Sequence, residues 1–281
     1  MALPADFDPD EFVQRVLAED LGSGGDVTSN ATIAEDARFS AEMNARQPIV
    51  VAGIEIAAAF FRALDAGVQV ELLAKDGDRV GHGATLMRLA GNARAMLAAE
   101  RSALNTLQHF SGIATLTRQY VDAVAGTGTV LLDTRKTIPG LRVLEKYASR
   151  MGGAQNHRMR LDDGVLIKDN HVAVCGGVAD AVRRAKSANT GLQVQVEVDR
   201  LDQIEPALAA GADRLLLDNM DPAMLREAVR LVAGRVPLEA SGGVTLETIR
   251  FLAETGVDFI SVGRITQSAP AVDIGLDYSF A

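Results

Sequence analysis

The sequence predicts an α/β protein built from an N-terminal α/β sandwich and an irregular, incomplete α/β barrel. Apolar, β-branched runs recur through the second half and alternate with amphipathic helical patterns, which is typical of βα units and a parallel sheet. The first third instead carries strand-like runs separated by turn signals. A chain of 281 residues is long enough for both parts. We place the sandwich at residues 1–110, the barrel at residues 111–269, and the tail, residues 270–281, with the sandwich.

In the first part, helical patterns cover residues 9–21 and 55–66. Strand-like runs are predicted at residues 38–44, 47–51, 68–74 and 85–89. A long helical pattern over residues 93–125 then leads into the barrel. The dipeptide Ser111-Gly112 predicts that this stretch breaks into two helices, because glycine lowers helix propensity.

In the second part, six apolar runs predict buried strands at residues 129–133, 165–168, 194–198, 214–217, 237–240 and 259–262. The intervening helical patterns lie at residues 172–187, 201–210, 222–232 and 246–254. Gly211 and Gly256 each end a helix and are followed, two residues later, by an acidic residue that leads into the next strand. Such repetition favours a barrel over a doubly wound sheet, and six strands where a complete barrel has eight predict an incomplete one.

Composition excludes several classes of protein. The net charge of −9 argues against a nucleic-acid partner, because nucleic-acid-binding domains are normally basic. No apolar run approaches the roughly 20 residues of a membrane span. The single cysteine, Cys175, excludes an intramolecular disulfide, and the acidic start lacks the features of a secretory signal. We therefore expect a soluble cytoplasmic protein with neither nucleic-acid nor membrane partners.

Positive charge is concentrated in residues 135–171. This window holds eight basic and four acidic residues, a net +4, which leaves −13 for the rest of a chain whose total is −9. A basic window in an acidic protein indicates a site for an anionic small molecule. Arg142, Lys146 and Arg150 recur at helical spacing, so for them we favour a solvated helix face.

Charged or glycine-rich residues follow every one of the six predicted barrel strands. Barrel enzymes place their active sites at the carboxyl ends of the strands, so these residues are expected to surround one site. Ser241-Gly242-Gly243 and Gly263 follow the last two strands, where barrels commonly bind phosphate. The sequence therefore predicts a phosphorylated substrate.

Glu197 and Asp218 follow adjacent strands and form the second specific feature. Two such carboxylates can hold Mg²⁺ together with substrate phosphates, or accept hydrogen bonds from sugar hydroxyls. Alternatively, each carboxylate pairs with a lysine such as Lys136 or Lys168, and both interpretations can hold at once. One cysteine and scattered histidines do not fit a zinc site, and no Ser/His/Asp signature is present.

Long motifs in this chain resemble those of the quinolinate phosphoribosyltransferase family. They are EDLGSGGDVTS near the start, ERSALNTLQHFSGIAT at residues 100–115, LLDTRKTIPGLRVLEKYA at residues 131–148, GGAQNHRMRLDDGVLIKDNH at residues 152–171, and the shorter strings QVEVD, LLLDNM and LEASGGV. The resemblance covers nearly the whole chain. It implies the type II phosphoribosyltransferase architecture, a sandwich followed by an irregular barrel.

The resemblance also implies a reaction, a cofactor and an assembly. Phosphoribose would pass from 5-phosphoribosyl-1-pyrophosphate to quinolinate, with loss of pyrophosphate and CO₂, to give nicotinate mononucleotide. The cofactor would be Mg²⁺, and the protein would be a homodimer or a higher oligomer. Arg101 would reach the site from the partner subunit.

The remaining site residues implied by the resemblance fall into three groups. Those that would hold the quinolinate carboxylates are Arg135, His157, Arg158 and Lys168. Those that would contact the pyrophosphate, ribose and Mg²⁺ are Lys136, Glu197 and Asp218, of which Glu197 and Asp218 would bind the metal. Those that would hold the 5-phosphate are Ser241, Gly242, Gly243, Gly263 and Gln267. At Gln267 this chain departs from the many bacterial members of the family that carry histidine at the equivalent position.

Three alternative functions remain open at this point. The first is a paralogous phosphoribosyltransferase of molybdenum-transport operons with a different substrate, which the full set of basic residues disfavours. The second is a barrel aldolase that forms a Schiff base through Lys168 or Lys136. The third is a regulator that binds a phosphorylated ligand without catalysis, which the many strand-end charges disfavour.

Overall fold

The computed structural model describes Pro4 and residues 7–279. Their contacts form two compact units. The first comprises the described residues up to 116 together with residues 143–152 and those from 268 onward, and the second comprises residues 117–142 and 153–267. The domain limits drawn from the sequence stay a prediction. No helix within the described part of the chain has the length and apolar character needed to cross a membrane.

Helices and strands follow one another in a regular order. The elements up to the long central helix are α1 (Pro9–Leu21), α2 (Val27–Thr32), β1 (Arg38–Ala45), β2 (Ile49–Val50), α3 (Ile54–Leu64), β3 (Gln69–Leu72), β4 (Arg79–Val80), β5 (Thr85–Asn92) and α4 (Ala93–Ala123). Those that follow are β6 (Val130–Leu132), α5 (Arg142–Met151), β7 (Val165–Ile167), α6 (Asp169–Cys175), α7 (Val178–Ser187), β8 (Val194–Val198), α8 (Ile204–Ala209), β9 (Arg214–Asp218), α9 (Pro222–Val232), β10 (Leu238–Ser241), α10 (Ile249–Ala253), β11 (Phe259–Ser261), α11 (Arg264–Gln267) and β12 (Ile274–Ser279).

The first unit contains a four-stranded antiparallel sheet in the order β12-β1-β5-β3. Helix α1 begins where the side chain of Asp8 accepts hydrogen bonds from the backbone of Asp10 and Glu11, with Pro9 in the first turn. Its apolar face buries Phe12 and Leu17. Strands β2 and β4 form a separate two-stranded sheet, so the predicted strand at residues 47–51 is only two residues long.

Helix α4 is continuous over 31 residues, so the predicted break at Ser111-Gly112 is wrong. The Ser111 hydroxyl accepts a hydrogen bond from the backbone of Ala52, at 3.0 Å. A Cβ atom on Gly112 would collide with the carbonyl oxygen of Pro270. Glycine is therefore required here for a close backbone approach, and the surrounding helix tolerates it.

Conversely, the single helix predicted over residues 172–187 is two helices, α6 and α7. Gly176 follows α6 in the left-handed conformation, with φ of 86°, and its backbone N–H bonds back to the helix. Gly177 then begins α7. Two consecutive glycines thus end one helix and start another.

The second unit is built on six parallel strands in the order β6-β11-β10-β9-β8-β7. Leu215, Leu216 and Leu217 of β9 are all buried, which explains why the strands read as unbroken apolar runs. Strands β6 and β7 are the two edges of this sheet, and the carboxyl ends of all six strands line one cleft. The incomplete barrel predicted from the sequence is confirmed in this form.

Helix α5 corrects the expected solvated face. Glu145 and Lys146 are fully buried. Within the first unit, His109 Nε2 lies 2.9 Å from Glu145 Oε1, and the Tyr147 hydroxyl donates to Asp76 at 2.6 Å. Burial and then the bond to Asp76 raise the pKa of Tyr147 far above its ordinary value. The expected solvated face is therefore wrong for Lys146, which lies in the core, while Arg142 and Arg150 are half-buried.

Candidate active site

A cleft of about 710 Å³ lies at the carboxyl ends of the six parallel strands. It is lined by every predicted site residue of the second unit: Arg135, Lys136, His157, Arg158, Lys168, Glu197, Asp218, Ser241, Gly242, Gly243, Gly263 and Gln267. Arg101 is exposed on α4 in the first unit and does not line this cleft. The topology accounts for the clustering, because parallel strands bring their carboxyl ends to one side of a sheet.

The turn after β10 is shaped by Asn219. The Asn219 backbone N–H donates to the carbonyl of Ser241 at 2.8 Å, and Asn219 adopts a left-handed φ of 55°. A Cβ atom on Gly242, whose φ is 100°, would collide with the Asn219 side chain and lie 2.9 Å from its backbone nitrogen. Glycine at position 242 therefore permits a close approach between two neighbouring strand ends.

Lys136 lies across the turn after β11. A Cβ atom on Gly263 would lie 2.7 Å from Lys136 Cδ, so the glycine leaves room for the lysine stem. The Thr266 hydroxyl donates to the carbonyl of Lys136 at 2.8 Å, and the backbone N–H of Lys136 donates to Thr134 Oγ1 at 3.0 Å. These contacts hold an exposed ammonium group beside the glycine-rich turns.

Two carboxylates occupy the middle of the cleft. Glu197 Oε2 lies 2.5 Å from Lys168 Nζ, and Asp218 Oδ2 accepts a hydrogen bond of 2.6 Å from Asn219 Nδ2. Burial, followed by the charge of Glu197, raises the pKa of Asp218. Because burial and the charge of Glu197 disfavour the ionised form of Asp218, this part of the cleft favours a ligand that brings positive charge or hydrogen-bond donors.

The basic end of the cleft contains two arginines of like charge. Burial, followed by the charge of Arg135, lowers the pKa of Arg158. Arg135 Nε is buried and has no hydrogen-bond partner among the described residues. Arg158 Nη1 donates to the carbonyl of Gly164 at 2.9 Å, which fixes the direction of its guanidinium. Two neighbouring guanidinium groups favour an anionic ligand.

A buried carboxylate lies beneath this basic end. Glu239 of β10 is fully buried and faces Gln195, Arg214 and His157. Burial raises the pKa of Glu239, but contacts with His157, Arg214 and Ser261 outweigh it, so the pKa lies below its ordinary value. Glu239 is therefore ionised at neutral pH inside the barrel.

Sequence reasoning gave no role to several polar residues that line the cleft. Five of them, Thr134, Asp169, Asn219, Glu239 and Arg264, were recognised only as strand-end residues, and Ser261 was not singled out. The signal for Asp169, Asn219 and Arg264 was their position directly after a strand. The signal for Glu239 was an acidic residue inside a strand with buried neighbours, Leu238 and Ala240. A buried charge of that kind requires partners, and the sequence does not show which residues supply them.

Comparison with known proteins identifies the family. The sequence profile described as "Quinolinate phosphoribosyl transferase, N-terminal domain" matches residues 26–111, and the one described as "Quinolinate phosphoribosyl transferase, C-terminal domain" matches residues 113–277. The chain belongs to the quinolinate phosphoribosyltransferase family. Its resemblance in the motifs of residues 100–171 is thus confirmed over both parts of the chain.

Relatives within the quinolinate phosphoribosyltransferase family match almost end to end. A nicotinate-nucleotide pyrophosphorylase [carboxylating] of Mycobacterium leprae is 44% identical over 95% of this chain and 96% of its own. A probable enzyme of the same name from Bacillus subtilis is 42% identical over 96% and 93%. The crystal structure of a nicotinate-nucleotide pyrophosphorylase from Ehrlichia chaffeensis has a TM-score of 0.94 and 41% identity, covering 98% of this chain and all of its own.

Proposed function

We propose that this chain transfers phosphoribose from 5-phosphoribosyl-1-pyrophosphate to quinolinate, releasing pyrophosphate and CO₂ and giving nicotinate mononucleotide. The observation that carries this proposal is the cleft itself, which joins a pair of like-charged arginines, two carboxylates and glycine turns at one set of strand ends. The names of the family relatives agree with this reaction.

The basic end forms the subsite for the quinolinate dicarboxylate. Arg135, His157, Arg158 and Lys168 surround this end of the cleft. The charge of Arg135 disfavours that of Arg158 in the absence of an anion, so a carboxylate between them relieves the repulsion. Guanidinium groups also match planar carboxylates with two parallel hydrogen bonds.

The glycine turns form the subsite for the 5-phosphate of the donor. Gly242, Gly243 and Gly263 leave their backbone uncovered by side chains at this end of the cleft, where a phosphate can bind backbone N–H groups, and Ser241 and Gln267 supply further lining. Lys136, held beside Gly263, supplies positive charge toward the pyrophosphate. The site thereby distinguishes the two ends of the donor by charge and by shape.

Glu197 and Asp218 fit a role in holding Mg²⁺ and the ribose hydroxyls. Oxygen ligands suit Mg²⁺, which usually takes one or two carboxylates together with phosphates and waters. No cluster of three or more metal-binding side chains is found in the described part of the chain. The bound cation would neutralise charge on the departing pyrophosphate.

The chemistry needs positioning more than a protein nucleophile. As the bond from C1 of the ribose to the pyrophosphate oxygen breaks, positive charge develops at C1, and the carboxylates Glu197 and Asp218 stabilise it. The ring nitrogen of quinolinate forms the new bond with its own lone pair. The carbon–carbon bond to one carboxylate then breaks, the pyridinium ring accepts the electron pair, and a proton takes the place of the CO₂ that leaves. The protein aligns both substrates and excludes other geometries.

We also propose a homodimer in which Arg101 enters the partner's cleft. This proposal rests on the family motif around Arg101 and on the exposure of its side chain on α4. Mixing Arg101→Ala subunits with Arg135→Ala subunits is expected to restore part of the activity, since one of the two sites then keeps both arginines. No recovery after confirmed subunit exchange would refute the shared site. The cytoplasmic location stays a prediction.

The alternative functions are not favoured. An aldolase lysine must act as a neutral amine, whereas Lys168 forms an ion pair of 2.5 Å with Glu197. The relatives that match nearly the whole chain are named as nicotinate-nucleotide pyrophosphorylases or quinolinate phosphoribosyltransferases, not as transport-operon paralogues.

The deciding experiment incubates the purified protein with quinolinate, 5-phosphoribosyl-1-pyrophosphate and Mg²⁺. Formation of nicotinate mononucleotide, with stoichiometric CO₂, is the expected result. Nicotinate replaces quinolinate in a parallel reaction, because it lacks one carboxylate and is expected to react poorly. A protein that makes no product from quinolinate would refute the proposal.

A further inference from the structure

The carboxylate of Glu239 joins side chains from three different segments of the barrel. Gln195 Nε2 of β8 donates to Glu239 Oε2 at 2.8 Å, and Arg214 Nη2 of β9 lies 2.8 Å from the same oxygen. His157 Nε2, on the segment that follows Gln155, lies 3.4 Å from it. One fully buried oxygen thus links two strands to a residue of the basic end.

His157 is held from its other side as well. Its Nδ1 accepts a hydrogen bond of 2.8 Å from the backbone N–H of Arg158. A ring nitrogen that accepts in this way carries no proton, so the neutral ring has its proton on Nε2, which faces Glu239. The backbone N–H of His157 donates to Asp133 Oδ1 at 2.9 Å. Two buried carboxylates, Asp133 and Glu239, therefore hold this residue.

The location of His157 gives these contacts their importance. Strands β6 and β7 are the edges of the six-stranded sheet, and the segment carrying His157 and Arg158 lies between them in sequence. This segment pairs with β6 through a single β-bridge, between Gln155 and Leu132, two residues before His157. Beyond that bridge, the carbonyl of Gly164, which accepts from Arg158 Nη1, and the side-chain contacts of His157 together fix the direction of Arg158.

We propose that Glu239 is a positioning residue for the quinolinate subsite: its carboxylate, 3.4 Å from Nε2, holds the His157 ring whose Nδ1 accepts from Arg158, so that the adjoining Arg158 is aimed at the substrate. The inference rests on the proposed function and deepens it. It assigns His157 a role in shaping the subsite, while Arg135 and Arg158 bind the carboxylates.

The charge of Glu239 has a second purpose that guides the choice of variant. Arg214 is mostly buried and lies over the ring of Phe259, 3.9 Å from its centre, so it needs the carboxylate as a counter-ion. Glu239→Gln would remove the nearer of its two counter-charges and leave only that of Asp258. Glu239→Asp keeps the charge and withdraws the oxygens by one methylene group, which tests position rather than charge.

Steady-state kinetics of Glu239→Asp provide the first test. The KM for quinolinate is expected to rise about tenfold, because a displaced carboxylate releases His157, while the KM for 5-phosphoribosyl-1-pyrophosphate changes by less than about twofold. The control is Glu205→Asp, the same change in an exposed ion pair with Arg235, which is expected to leave both constants unchanged. Equal changes in the two KM values, or no change, would overturn the proposal.

A double-mutant cycle with His157→Ala supplies the second test. If Glu239 acts through His157, Glu239→Asp is expected to add less than about a twofold rise in the KM for quinolinate once the imidazole is gone. Full additivity of the two effects would show that Glu239 does not act through His157.

A measurement on the unaltered protein completes the design and does not depend on a variant folding. Nitrogen-15 NMR of the histidine rings at alkaline pH, with the His157 signals assigned through His157→Ala, is expected to show the Nε2–H tautomer. The Nδ1–H tautomer would overturn the proposal. An unaltered protein that makes no nicotinate mononucleotide would refute the proposed function alone, since the tautomer is measured without substrate.

Discussion

Helix α5 and the carboxyl ends of the barrel strands carry charged residues from the same basic window, yet they place them in opposite surroundings. Glu145 and Lys146 on α5 are fully buried. Lys136 and Lys168 at the strand ends are exposed in a cleft, and Lys168 pairs with Glu197. Charge density along a sequence therefore does not separate charges that face a ligand from charges that stabilise the core; the element that carries them does.

The largest expected effect is on turnover, at the strand ends. Glu197→Ala and Lys136→Ala are each expected to lower kcat about a thousandfold, because each removes charge that stabilises the transition state. The free energy of unfolding is expected to change little in either variant. Glu197→Ala leaves the Lys168 ammonium without its partner but exposed to water, and the Lys136 side chain is itself exposed. Product formation and thermal unfolding measure the two quantities. If either variant lost stability as well as activity, the strand-end charges would also stabilise the fold, and the contrast with α5 would be wrong.

The converse effect is expected on α5. Glu145→Ala removes a buried partner of His109 and is expected to lower the free energy of unfolding by about 3 kcal/mol. Urea unfolding followed by circular dichroism measures it. Glu254→Ala, which breaks an exposed pair with Arg250, is the control and is expected to have no measurable effect. Similar losses of unfolding free energy in Glu145→Ala and Glu254→Ala would show that the burial of Glu145 does not determine its contribution to stability.

A smaller effect separates two adjacent glycines of the phosphate turn. Gly242→Ala is expected to raise the KM for 5-phosphoribosyl-1-pyrophosphate about thirtyfold, because the added Cβ displaces Asn219. Gly243→Ala meets no atom within 4 Å and carries only the strain of a φ of 59°, so its KM is expected to rise less. The kinetics of the two variants give the comparison directly, and the reverse order would contradict it.

The smallest expected effect concerns Tyr147. Tyr147→Phe deletes the hydroxyl that donates to Asp76 and is expected to cost about 1 kcal/mol of folding free energy, with unchanged kinetic constants. Thermal unfolding and initial rates check the two statements. A changed KM for either substrate would mean that α5 takes part in substrate binding.

The barrel strands were predictable because burial on both faces leaves an unbroken apolar run, as in β9. Their carboxyl ends were predictable as a cluster because parallel topology requires it. Helix α4 shows what was not predictable: the requirement for Gly112 comes from Pro270, more than 150 residues away in the chain. Strand β12 was missed for a similar reason, since its register is set by pairing with β1.

Within the site, residue types and their strand ends could be predicted, but partners could not. Glu239 shows the limit, because its neighbours Gln195, Arg214 and His157 come from separate segments of the chain. The buried surroundings of Lys146 were hidden in the same way by a helical spacing that equally suits a solvated face.

The turns of the six-stranded sheet and the segment between its edge strands, β6 and β7, are expected to tolerate different substitutions during evolution. The proposed phosphate subsite is formed by turns that belong to the sheet, where a Cβ atom on Gly242 would collide with Asn219 and one on Gly263 would meet the Lys136 side chain. The segment that carries His157 and Arg158 is attached at the edge by one bridge and a few side chains. If the proposed subsites are assigned to these two regions, substitutions in the edge segment are expected to change which acceptor is recognised and to leave the donor subsite and the barrel unchanged.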